Sequence, residues 1–284
     1  MAPNKKKAAT SNEVQIMTVE RGIITFNLLG TTPLLHNRLS QKAKQELLMP
    51  AGPKTKAEKK VTLKHVPIDE YRASPYTNPD DKAKTLIQHL SSAFRGAMRS
   101  AALDLPGITK AEIGRLLWVE GDRIDIFGVP ELDMRVVRQA GMTRAPDIRT
   151  RAIMPEWACR ITVSFTQPQL KQESVANLLA AAGTYIGVGD YRNEKGAGNY
   201  GLWELVDDKH PAFKSLIKYG GRKAQMEAME SPGFFDNETE ELFSWFEEEV
   251  KNRRTFAPMT KADADGKGRG GKKKTKTNGQ SAEA

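Results

Sequence analysis

The stretch that most restricts this chain is Gly187-Val188-Gly189-Asp190-Tyr191-Arg192-Asn193-Glu194-Lys195-Gly196-Ala197-Gly198-Asn199-Tyr200-Gly201. Before it, Val175, Leu178, Leu179 and Ala182 recur at helical spacing and predict a helix over Glu173 to Tyr185. After it, Gly201 to Val206 reads as a strand, with Leu202 and Trp203 to pack. Helix, glycine-rich loop and strand in that order call for an α/β unit. The loop's five glycines accept positive φ and put no Cβ in the way, so another backbone can approach. The spacing is not a dinucleotide fingerprint, because the third glycine position is Arg192. Nor is it a P-loop, since no Ser or Thr follows Lys195. The ordinary alternative is a long connection that needs its glycines only to turn.

The remaining pattern fits a mixed α and β chain. Arg21 to Leu29 reads as a largely buried strand through Ile23, Ile24, Phe26, Leu28 and Leu29, ended by Gly30-Thr31-Thr32-Pro33. Leu34 to Leu48 begins helically. Residues 50–82, with five prolines and lysines at 54, 56, 59, 60 and 64, read as a long insertion. Helices are expected over residues 82–103 and from Thr109 to Leu117, with short strands at Arg123 to Phe127 and Cys159 to Phe165. Residues 128–152, which carry Arg135, Arg138, Arg144, Arg149 and Arg151, show no regular period. Ala212 to Met229 and Thr239 to Val250 read as terminal helices.

Within the residue 82–103 helix stands a second informative segment, Ser91-Ser92-Ala93-Phe94-Arg95-Gly96-Ala97-Met98-Arg99. A glycine inside a helix costs ~1 kcal/mol against alanine, so Gly96 points to a close backbone approach. Arg95 and Arg99 lie four apart on a face away from Leu90, Phe94 and Met98. The plain reading is an amphipathic core helix with solvated arginines.

Together the two segments resemble the RAMP superfamily, the repeat-associated proteins that form the backbone and crRNA-processing subunits of CRISPR effector complexes. Ser91, Ser92, Arg95, Gly96 and Arg99 are similar to that group's Ser-Ser-x-basic-Gly-x-x-Arg stretch, with one extra residue after Ser92. Gly187, Gly189, Gly196 and Gly198 are similar to its C-terminal glycine loop. The resemblance covers roughly residues 18–206 and extends to phage or mobile-element relatives. It implies an α+β fold of ferredoxin-like (RRM/RAMP-type) form: an antiparallel sheet with helices on one face, elaborated by a long insertion and a C-terminal helical extension. It also implies RNA held between the glycine loop and the first helix, often in filaments. The long lysine-rich segment and the acidic helices after residue 206 depart from that pattern.

Charge adds to this picture. The formal net charge is +9, most of it in two basic tails at residues 1–12 and 258–284, which read as disordered. The domain reading is therefore a nucleic-acid-binding unit at 13–206, a helical extension at 207–257, and the tails. A single cysteine, Cys159, and no apolar run of membrane-spanning length fit a reducing cytoplasmic compartment.

The expected function is non-catalytic binding of single-stranded RNA or DNA through its backbone. Arg95, Arg99, Arg192 and Lys195 would neutralise phosphate, Tyr191 and Tyr200 would stack on bases, and Gly96, Gly187, Gly189, Gly196 and Gly198 would line the groove. Self-association is the other expected partnership, between the lysine-rich insertion and acidic Asp236 to Glu249. The four histidines (36, 65, 89, 210) form no ligand spacing, so neither metal nor cofactor is expected. Two rival readings stay open. One is a metal-independent endoribonuclease with His36 as the base; the other is a protein-interaction scaffold.

Overall fold

The computed structural model describes residues 18–49, 63–138, 145–195 and 198–255. Both basic tails, Lys54, Lys56, Lys59 and Lys60 of the insertion, Arg144, and Gly196 lie outside the described residues, as does the Lys195 side chain.

The fold is α+β. Strands β1 (Glu20–Gly30), β2 (Leu34–Leu35), β3 (Tyr76–Thr77), β4 (Ile87–Leu90), β5 (Leu117–Val119), β6 (Arg123–Phe127), β7 (Glu131–Arg138), β8 (Pro146–Met154), β9 (Ala158–Gln167) and β10 (Trp203–Val206) form two sheets. The larger runs β10-β1-β9-β6-β4-β3, with β5 also paired to β9; the smaller runs β2-β8-β7. All these pairings are antiparallel. Helices α1 (Gln41–Leu48), α2 (Pro67–Ala73), α3 (Ser91–Ala101), α4 (Lys110–Leu116) and α5 (Gln172–Tyr185) intervene; α6 (Pro211–Tyr219), α7 (Arg222–Glu230) and α8 (Asn237–Thr255) follow the last strand.

Local chemistry explains several boundaries. Thr109 and Glu112 make a reciprocal capping box that starts α4. The apolar face of α3 buries Phe94, Ala97, Met98 and Ala101, and α3 packs on α5 and α4. The structure separates residues 82–103 into β4 followed by α3, so His89 lies on a strand rather than on the helix. Residues 128–152, expected to be irregular, hold most of the β7–β8 hairpin, in which Asp133 faces Arg151 and Arg135 faces Arg149. Ile23, expected inside, is 61% exposed, because only the far end of β1 (Leu28 and Leu29) reaches the core.

The helical segment expected over 212–229 is broken at Gly220-Gly221 into α6 and α7. The boundary between two compact units falls between Glu240 and Glu241, within α8. The insertion is not all loop either. Within α2, Tyr71 is fully buried and donates its hydroxyl to the carbonyls of Pro130 (3.2 Å) and Ala228 (3.1 Å).

Gln225 of α7 ties this region together. It is fully buried, and its Oε1 accepts from the backbone N–H groups of Leu86 (2.8 Å) and Ile87 (2.9 Å). Its Nε2 donates to the carbonyls of Ile126 (2.8 Å), Gly128 (3.0 Å) and Gly220 (3.0 Å). Gln225→Leu keeps the volume and removes those hydrogen bonds, so we expect roughly 3 kcal/mol of lost stability. Urea unfolding with an unchanged slope and a lowered midpoint would register it; a shift under about 1 kcal/mol would deny the role.

Candidate functional site

A cleft of about 380 Å³ opens where three segments meet: residues 36–37 after β2, the first turns of α3, and the glycine loop. The loop is held to its surroundings by main-chain bonds. Asp190 N–H donates to Leu35 O (2.9 Å), Val188 N–H to Gly201 O (3.0 Å) and Gly201 N–H to Pro33 O (2.8 Å). Gly201 has φ +72°, and a Cβ there would sit 1.8 Å from Val188 O, so this glycine is required by the loop's own packing.

Gly96 behaves differently. It lines the cleft from α3, and among the described residues no atom outside its own helix lies within 4 Å of where its Cβ would be. Among the described residues no neighbouring backbone takes up that space. Facing it across the cleft are Gly187 and Gly189, with φ of +77° and +82°.

Arg192 stands at the cleft wall and is already engaged. Its Nη1 donates to Gly189 O (2.9 Å), and its Nε and Nη2 reach Glu194 (3.0 and 2.9 Å). The other Glu194 oxygen accepts the Ser100 hydroxyl at 2.6 Å. Tyr191, with φ +56° and 40% exposed, packs its ring over Gly198, where a Cβ would come within 2.2 Å. The Tyr191 and Tyr200 rings lie 5.8 Å apart, and Arg135 covers both, at 5.9 and 5.4 Å from their centroids. Arg135 also donates to the Tyr200 hydroxyl (3.3 Å) and pairs with Asp133.

The structure does not bring Arg95 or Arg99 to this cleft. Arg95 donates Nε to Leu117 O (3.0 Å) and Nη2 to Gly114 O, clasping the end of α4. Arg99 packs over Gly114, its Nε 3.1 Å from a Cβ built there, and that Nε is buried. The expected solvated arginine face is a helix–helix interface, because α4 covers it; both residues hold the fold.

Sequence reasoning missed His89, Tyr76, Arg38 and Asn37. His36 and His89 are 1% and 8% exposed and both line the cleft. Their rings lie 5.8 Å apart, edge to face, and head an aromatic series that continues through Phe94 to Trp203. Burial first, then the neighbouring His89, pushes His36 down to about 3; burial, then Arg192, pushes His89 down to about 4. At the cleft edge, Tyr76 carries the guanidinium groups of Arg38 (5.4 Å) and Arg123 (5.2 Å) near its ring. Among the described residues no cluster of three or more His, Cys, Asp or Glu is placed to hold a metal ion. None of their helices is long and apolar enough to cross a membrane.

No family model matches this chain, and no curated protein matches it either. Among solved structures it is similar to the crystal structure of Cmr6 from Pyrococcus furiosus, at 10% identity and a TM-score of 0.32. That match covers 66% of this chain and 98% of the other. It is too slight to carry an assignment.

Proposed function

We propose that this chain binds single-stranded RNA or DNA by its backbone in the cleft, without cutting it, on a ferredoxin-like core. The β10-β1-β9-β5 order, with α3 between β1 and β5 and α5 between β9 and β10, supports that core. The observation that carries the reading is Gly96. No described atom outside its own helix crowds Gly96, and it lines one cleft with Gly187 and Gly189. Arg192 supplies charge on one wall, and the Tyr191–Tyr200–Arg135 group offers ring faces beside the loop. Since Arg192 is paired with Glu194, a phosphate there must compete with a carboxylate, which favours moderate, salt-sensitive affinity.

Fluorescence anisotropy with a labelled single strand tests this. Arg192→Ala with Lys195→Ala weakens binding and makes the log-affinity against log-salt slope shallower, by ~0.7 for each phosphate that is no longer neutralised. Deleting residues 1–12 and 258–284 leaves measurable binding. A truncated chain that binds nothing at low salt would place the whole affinity in the tails and end the cleft reading.

One observation favours a second reading, metal-independent RNA cleavage: two imidazoles face each other in the cleft. Their low basicity argues against it, because a base that loses its proton near pH 3 or 4 takes one up poorly at neutral pH. We expect intact RNA after prolonged incubation with or without magnesium. Products ending in 2′,3′-cyclic phosphate, abolished by His36→Ala, would reverse that expectation.

Self-association, between the lysine-rich insertion and acidic Asp236 to Glu249, is the remaining part of the proposal. Lys64, which lies among the described residues, is turned to Asp147 of its own chain at 2.5 Å.

A further inference from the structure

A second pocket, of about 220 Å³, lies between residues 37–40, α2 and β8. Asn37 and Ser74 line both it and the cleft, so the two adjoin. In its wall Arg151 is 5% exposed, an expensive place for a guanidinium. Its Nη1 pairs with Asp190 at 2.5 Å, and its Nη2 comes no nearer than 3.9 Å to Asp133. Arg151 Nε and Nη2 have no hydrogen-bond partner among the described residues. Those two atoms form the side edge of the guanidinium, the edge that grips two oxygens of one oxyanion. The neighbouring Thr150 hydroxyl is likewise buried and without a partner among the described residues. Arg38 and Arg149 also line the pocket.

We propose that this pocket is a second binding site, for a tetrahedral oxyanion of the phosphate class. The unprotonated oxygens of such an anion accept hydrogen bonds, which matches the unused N–H edge of Arg151 and the Thr150 hydroxyl. The pocket's carboxylates have partners of their own. Asp147 accepts from Lys64 (2.5 Å) and from His65 Nε2 (3.1 Å), and Glu70 pairs with His65 Nδ1 (2.7 Å). That leaves Arg38 and Arg149 to add positive charge at the pocket. Burial lowers the affinity of Arg151 for its proton, partly offset by Asp190 and Asp133, and a third anion restores it. Two sources offer this chemistry: free phosphate, or the next phosphodiester of a strand that lies in the cleft and passes Asn37. The site stands on its own residues and does not depend on the cleft reading.

Thermal unfolding of the full chain in sodium phosphate, against sodium chloride of equal ionic strength at neutral pH, decides it. The expected result is a phosphate-specific rise in Tm that Arg149→Ala and Thr150→Val each reduce and Arg151→Lys, which keeps the charge but loses the fork, abolishes. No phosphate-specific rise, or a rise that Arg149→Ala and Thr150→Val leave untouched, overturns the site, even if Arg151→Lys does not fold. A labelled single strand then separates the sources. If Arg149→Ala also weakens strand binding and its salt dependence, the ligand is a phosphodiester; if strand binding is unchanged or absent while the Tm effect persists, it is free phosphate.

Discussion

Gly96→Phe should abolish strand binding while leaving the fold intact, lowering affinity a hundredfold or more, about 2.7 kcal/mol. Gly96 sits mid-helix, and among the described residues nothing outside its helix lies within 4 Å of its missing Cβ, so a side chain meets the cleft rather than the core. Helix propensity moves the other way: Gly96→Ala should stabilise the protein by ~1 kcal/mol, since nothing must shift to admit a methyl group. Opposite signs in stability and binding are the signature of a glycine kept for a ligand. Anisotropy and urea unfolding on the two variants give both numbers. A Gly96→Phe protein that binds like its parent would remove the cleft from the binding path.

Acid should unfold this protein earlier than its carboxylates alone would. In the native state His36 titrates at about 3 and His89 at about 4, against 6.5 when unfolded. The sign follows from proton counting. Below pH 6.5 the unfolded chain takes up protons that the buried rings refuse, so stability is full above 6.5 and falls as pH drops. Each histidine contributes about 1.4 kcal/mol per pH unit in that window, on the order of 4 kcal/mol for the pair between pH 6.5 and about 5. Carboxylates titrate lower and are common to all variants, so the comparison is internal. His36→Phe should roughly halve the slope of stability against pH between 6.5 and 5. Identical slopes in variant and parent would show that the His36 ring is not excluded from protonation.

The main architecture was legible because its carriers are periodic. The helix at Glu173 to Tyr185, the strand after the glycine loop and the long strand β1 all announce themselves through apolar spacing. The site was half legible. Gly96, Gly187, Gly189, Arg192 and His36 do line one cleft. Arg95 and Arg99 do not, because a sequence shows that two arginines share a helix face but not which element will cover it. Strand β4 was hidden because Leu86 and Leu90 continue the helical spacing of Phe94 back into it, and four residues are too few to show alternation. His89 was lost with it. The β7–β8 hairpin was hidden for an electrostatic reason. Its buried positions include Asp133 and Arg151, whose charges face each other across the strands, and a hydropathy pattern counts such residues as exposed.

The pairing of β1 has a consequence for the order in which the chain can be made. Glu20 to Leu29 lie against Gln167 to Ala158 on one edge, and Asn27 to Gly30 against Val206 to Trp203 on the other. A ribosome therefore delivers this strand long before either neighbour exists, and Ile23, Ile24, Phe26 and Leu28 must wait unpaired. Loop closure over such separations is slow, and an unpaired apolar strand is a template for other chains. Nascent chains stopped short of Ala158 should lean on holding chaperones, and release from them should coincide with synthesis of β10.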